Sequence, residues 1–401
     1  MDRYKGTLIK IIIIMLCFLS LTGCWSRREL NELLIVLGIG IDWQDGEYLV
    51  SFQVVNPSEI SAQNKSGDRP PTTLYQGRGK TMLDAARFLT AEAPRKVYMG
   101  HLQFYVIGEE LAKKGISDFI DNALRDNEHR MDFNVVVARG TKAEDILKIY
   151  TPLEKLPTYS MLHSLETSEK NWAPTVSITM DQVLKRLSSD GVDLALTGIR
   201  LIGSLEQAEH KSNVETFLPS SRFRYNGIAA FKGDKLVGWL NEQESKGYTD
   251  ISNKLESTSI EVPCGKGTSY TGIEVSSSES KVESKIVGDI PEMIISIRSE
   301  GSVNQRSCRE INLMNPATIT QLQKQTVEII RSNAVAAVKR SKTMKSDYLG
   351  FGELIAQNHP HYWDTIKDRW TEEYLAKTKI SYKIQMLIRK TGTTGNTTLN
   401  P

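Results

Sequence analysis

The feature that most constrains this chain stands at its start. Arg3, Lys5 and Lys10 precede Ile11 to Leu19, an unbroken apolar run, and Ser20-Leu21-Thr22-Gly23-Cys24 follows it. A basic opening, a short apolar stretch and small residues are the ordered parts of an export signal. Even counted generously from Leu8 to Leu21, the run is about 14 residues, short of the roughly 20 needed to cross ~30 Å of hydrocarbon. The residues after position 23 are therefore expected outside the cytoplasm, with residues 1–23 as the signal.

Leu21-Thr22-Gly23-Cys24 resembles a bacterial lipobox, in which small residues lead to a cysteine that carries a diacylglyceryl group. The competing reading is an ordinary secretory signal that happens to contain Cys24. The lipobox reading makes Cys24 the lipidation site and predicts an acylated, membrane-held body, since each buried CH₂ contributes ~0.8 kcal/mol. With Cys17 in the signal and Cys24 lipidated, Cys264 and Cys308 remain. An oxidising compartment permits a disulfide between them, and two unrelated buried thiols fit the sequence equally well.

Beyond the signal the composition is that of water-folding domains: 40% hydrophobic and 24% charged residues over 401 positions, enough chain for two or three domains. From Cys24 onward basic and acidic residues balance at 47 each. A neutral body with no basic block lacks the clustered Lys and Arg that phosphate backbones require, so nucleic acid is excluded as the main partner.

The pattern predicts a mixed α/β (α+β) fold. Leu34–Ile41 and the alternating Tyr48, Val50, Phe52 and Val54 flank a Trp43–Gly46 turn and read as a hairpin. Residues 56–73 read as a loop. A helix starts at Thr81, spaced from Asp84 as in a capping box, and a strand Val97–Ile107, a helix Ile116–Arg125, a strand Phe133–Ala138 and a helix Lys142–Tyr150 complete a first domain, 24–150. Residues 151–250 read as a looser middle domain, with an amphipathic helix on Met180, Val183, Leu184 and Leu187 and a hairpin turned at Gly233-Asp234. The third domain, 251–392, reads as four short strands (259–262, 270–276, 281–288 and 293–303), a helix opened by Asn315-Pro316, an aromatic helix with Trp363 and Trp370, and a last strand burying Ile380, Tyr382, Ile384 and Ile388. It is expected as an antiparallel sheet crossed by the long helix, and 393–401 as a tail.

Catalytic and cofactor motifs are sparse. Gly77-Arg78-Gly79-Lys80-Thr81 ends like a phosphate loop, but Leu74 stands where that loop needs glycine. His359-Pro360-His361 lacks neighbours at ligand spacing, so no metal or cofactor site is read. Neither GxSxG, HExxH nor CxxC occurs. A Ser-His-Asp triad has free order and spacing, and nothing points to one.

Several stretches carry a resemblance in order along the chain: Cys24 to Leu33 with Gly40-Ile41-Asp42-Trp43, Pro94-Arg95-Lys96 with Gly100-His101-Leu102-Gln103, Ala230 to Gly238, Ser346 to Gly352, Trp363, Trp370, and Arg389 to Gly392. Together they resemble the Ger(x)C family, the lipoprotein subunits of spore germinant receptors. The resemblance implies an elongated three-domain body with no cofactor, a non-catalytic partner of the multi-span A and B receptor subunits on the outer face of the spore inner membrane. It leaves open whether the chain binds a small molecule directly. Residue by residue, Gly238, Gly350 and Gly352 also read as backbone requirements and both tryptophans as core. The competing classes are a substrate-binding lipoprotein of an importer and a lipid-anchored hydrolase.

Overall fold

A computed structural model describes residues 32–60, 69–125, 130–264, 269–308 and 311–390, with a few positions before residue 16. Cys24 and the expected tail lie outside the described residues. No described helix is long and apolar enough to cross a membrane.

The first hairpin is β1 (Leu33–Gln44) with β2 (Glu47–Val55), turned through Asp45 and Gly46, both at positive φ. Thr72–Gly79, whose first two residues fall in the expected loop 56–73, is a third strand, β3, antiparallel to β2. Its glycines hid it: a Cβ on Gly77 would collide with the carbonyl of Ala85 in α1 (Met82–Phe88), which lies directly on the strand. Thr81 caps that helix, its hydroxyl accepting from Asp84 N at 3.1 Å. The expected strand 97–107 is broken. Lys96–Tyr98 (β4) pairs beside Leu33–Ile35, the chain detours through Gly100 with Leu102 buried, and pairing to β1 resumes at Phe104–Gly108 (β5).

Next come α2 (Glu109–Lys114), α3 (Ser117–Arg125), β6 (Asn134–Ala138), α4 (Ala143–Leu147), α5 (Pro157–Asn171), α6 (Met180–Ser188), β7 (Ala195–Ile202), β8 (Arg222–Lys232), β9 (Lys235–Leu240) and α7 (Glu242–Ile251). The sheet order is β3-β2-β1-β5-β6-β7-β8-β9, with β4 beside β1. Strands β1, β5, β6 and β7 run parallel, and hairpins flank them on both sides. Apolar residues cover both faces of the middle strands: Tyr105 and Ile107 pack into one core, Phe104 and Val106 into another. Hence β5 and β6 read as unbroken apolar runs. The sheet does not end at the expected 150/151 boundary, because β7, β8 and β9 extend it from the far side of β6.

A second, four-stranded sheet follows in the order β10 (Thr258–Pro263), β11 (Tyr270–Val287), β12 (Ile290–Arg306), β13 (Lys379–Lys390). The expected strands 270–276 and 281–288 are one 18-residue strand. The polar run between them is simply its wetter half, and Gly288-Asp289, at φ 56° and 60°, forms the tight turn into β12. Helix α8 (Pro316–Met344) runs 29 residues, ~43 Å, from an Asn315 cap. Its seam continues past the apolar Leu322 and Ile330 through Ala334, Ala337 and Ser341, small residues that let α7 approach closely at Gly247. After α9 (Phe351–Asn358) and α10 (Pro360–Ile366), β13 joins β12 in parallel, correcting the expected antiparallel sheet. The long helix is the reason: it returns the chain along the sheet, as a parallel partner requires. β13 is an edge strand, so Ile380, Tyr382, Ile384 and Ile388 are half-buried, and Met386 alone on it is fully buried. Cys264 and Cys308, just beyond β10 and β12, are joined as a disulfide with Cα atoms 6.2 Å apart.

Candidate functional site

The residues singled out in Ser346–Gly352, the β8–β9 hairpin and the two tryptophans converge on one joint between the sheets. Gly191, at φ 81°, turns the chain into Asp193, immediately before β7. Asp193 and Asp347 bond reciprocally: Asp193 N donates to Asp347 O at 2.9 Å and Asp347 N to Asp193 Oδ2 at 2.7 Å. The other Asp193 oxygen accepts from Gly233 N, the hairpin tip, at 2.8 Å. Asp347 turns its own carboxylate the opposite way. It accepts from Phe351 N at 3.1 Å, Gly352 N at 2.7 Å and Trp370 Nε1 at 2.8 Å, so it caps α9 and pins the aromatic segment behind it.

Burial pushes the Asp347 carboxyl up to about 6, against the pull of the donors at Gly352, Trp370 and Phe351 and with a further push from the charge of Asp193. Asp193 is raised for the same first reason, offset by the Gly233 and Asp347 amides. The glycines are there for contact: a Cβ on Gly352 would sit 2.7 Å from Trp370 Nε1 and 2.8 Å from Gly191 Cα. Trp363 and Trp370 meet edge to face, ring centroids 5.7 Å apart. Ser346 donates to Phe231 O of β8, buried Tyr348 donates to Ala337 O of α8 at 2.7 Å, and Met344 packs on Gly238 of β9. At the rim Lys232 and Lys345 both pair with Glu372, holding its carboxyl down at about 2 through their hydrogen bonds. On its other side the hairpin tip is gripped by α3, where Asp234 accepts from Ser117 Oγ at 2.7 Å. A cleft of about 340 Å³ opens beside the joint, lined by Arg186, Asp193, Lys367 and both tryptophans.

The remaining matched stretches lie within the large sheet. Asp42 accepts from Ala143 N at 2.9 Å and Glu144 N at 3.1 Å, capping α4, and burial raises it to about 6. Gln103 N donates to Leu37 O at 2.8 Å, closing the β4–β5 detour. His101 and His361 are exposed, and His359 Nε2 lies 3.4 Å from Ser284 O. The structure brings none of them together, and among the described residues no three His, Cys, Asp or Glu are grouped for a metal. Asp193 and Gly191 were missed in the sequence. Asp190-Gly191 is a turn signal, but nothing local shows that the next carboxylate reaches a residue 154 positions away.

Chemically, the carboxylates of Asp193 and Asp347 are spent on holding the two sheets together, while the buried Trp363 Nε1 has no hydrogen-bond partner among the described residues. Two family descriptions cover nearly all of the chain: "Spore germination protein N-terminal domain" over residues 26–201 and "Spore germination B3/ GerAC like, C-terminal" over residues 226–392. Spore germination protein KC of Bacillus subtilis (strain 168) is 31% identical over 96% of each chain. The chain belongs to the Ger(x)C family of spore germination proteins. Spore germination proteins A3 and B3 of the same organism match at 24% and 23% identity, each over at least 96% of both chains. In fold, this Ger(x)C chain is similar to the crystal structure of the GerBC protein, at a TM-score of 0.54 and 17% identity, over 88% of this chain and 97% of that one. The division between the two family domains falls inside the large sheet, since most of β8 and all of β9 belong to the second description and complete the sheet of the first.

Proposed function

We propose that this chain is the lipid-anchored, non-catalytic C subunit of a nutrient germinant receptor, held on the outer face of the spore inner membrane by Cys24 and assembled with the multi-span A and B subunits. The observation that carries the reading is the end-to-end likeness to spore germination protein KC, together with a lipobox-like sequence just before residue 26, where the family match begins. The joint supports a relay or assembly role, because it couples the two sheets through buried hydrogen bonds. An importer's binding lipoprotein would share the anchor, but its usual two lobes of repeated β-α units differ from a nine-stranded sheet followed by a four-stranded one that the long helix α8 spans from β12 back to β13. The test combines lipid labelling with germination. Growth with labelled palmitate marks the wild type and not Cys24→Ala, and spores lacking the gene lose germination toward at least one single nutrient. Label retained on Cys24→Ala overturns the anchor; unchanged germination toward every nutrient overturns the receptor role.

A further inference from the structure

A second cleft, of about 380 Å³, opens between α7, β10 and α8. That is the size of a small-molecule pocket. Glu242, Lys246 and Asp250 stand four apart on α7 and so share the helix stripe that faces it. Trp172 forms one side. The Lys246 ammonium lies 4.2 Å from its ring centroid and 3.1 Å from Glu242 Oε1. Leu255, Ile260 and Ile330 supply an apolar wall.

Asp250 is the anomaly. It is 6% exposed, and its Oδ1 accepts from Ser278 Oγ at 2.8 Å and Ser280 Oγ at 3.4 Å. Among the described residues no cation pairs with it and nothing donates to Oδ2. The other buried carboxylates have partners of their own: Asp42 and Asp347 accept backbone N–H groups that hold elements together, and Glu144 pairs with Lys148. Asp250 caps nothing. Burial pushes its carboxyl up to about 6, which leaves it ionised at neutral pH in a setting where an unpaired charge is costly.

We propose that this cleft binds a small molecule bearing a primary ammonium group beside an apolar chain. The ammonium meets Asp250 Oδ2, the chain lies on Leu255, Ile260 and Ile330, and a carboxylate on the same molecule, where present, meets Lys246. Amino acids and free alkylamines share this chemistry. The site does not depend on the receptor role, because binding is read on the isolated chain.

Calorimetry on the full-length chain in detergent, with isoamylamine and with leucine, tests it. Saturable binding is expected, at least ~10-fold weaker for 3-methylbutanol, which keeps the chain and lacks the ammonium, and at least ~10-fold weaker in Asp250→Asn. Leucine bound more tightly than the amine, with that margin lost in Lys246→Met, assigns amino acids; amine bound as tightly or more so assigns alkylamines. The proposal fails if neither compound saturates by ~10 mM, if the alcohol binds as well as the amine, or if Asp250→Asn binds unchanged. The alcohol comparison uses the wild type and stands whether or not the variant folds.

Discussion

Single residues at the joint show how little freedom a buried contact leaves. Gly352 touches the Trp370 indole and the Gly191 backbone, neither of which can retreat, so Gly352→Ala is expected to destabilise by ~2–3 kcal/mol in urea unfolding. Gly288→Ala is the control. A Cβ there meets nothing within 4 Å, and only its positive φ opposes the change, at ~1 kcal/mol. Asp250 yields a prediction of pH dependence. Its folded pKa, about 6, lies above the ordinary value of 3.8, so the folded state binds the proton more tightly and stability falls as pH rises through that window. Two units correspond to ~3 kcal/mol, with the opposing pull of the serine hydrogen bonds already included in the shift. Relative to wild type, Asp250→Asn should therefore gain melting temperature between about pH 4 and pH 6 and level off above it. A gap independent of pH would show that the carboxylate is not desolvated in the folded state.

Among the elements, the ends of β10 and β12, on either side of β11, are tied covalently. The Cys264–Cys308 bridge spans 44 positions, and in the chain-entropy account closing such a loop stabilises by ~4 kcal/mol. The double variant Cys264→Ala/Cys308→Ala is expected to lose stability of that order when followed by denaturant, and mass spectrometry of the unreduced protein should find the two cysteine peptides linked. The elements also show where sequence pattern reaches its limit. The hairpins were legible because their turns need residues tolerant of positive φ, and Asp45-Gly46 and Gly233-Asp234 announce themselves. β3 was not, because closeness to α1 demanded glycine where a strand ordinarily shows apolar alternation. Nor was the continuity of β11, whose second half, otherwise serine, glutamate and lysine, shows only Val282 and Ile286 as apolar residues on its inward face.

At the scale of the molecule, the two family domains are not two folding units. Strand β8 comes mostly from the second domain and pairs with β7 of the first along most of its length. A fragment ending at residue 201 would leave β7 as an open apolar edge, the situation that drives edge-to-edge association. Residues 32–201 expressed alone are expected to aggregate, whereas extension to residue 241, which restores β8 and β9, should yield a monodisperse species by size-exclusion chromatography. Equal solubility of both would mean that the hairpin contributes little to the large sheet.

What the sequence determined by itself was local and chemical: caps such as Thr81 and Asn315, hairpin turns, the mixed α/β class, and enough ordered motifs to point to the family. Those properties rest on residues a few positions apart, where turn preference, capping and periodicity act. The tertiary structure alone decided that β13 runs parallel to β12, that the sheet crosses the expected domain boundary, and that Asp193 faces Asp347. It alone left Asp250 buried without a counter-charge. Each of these depends on which distant surfaces come together once water is excluded, and no local preference carries that information.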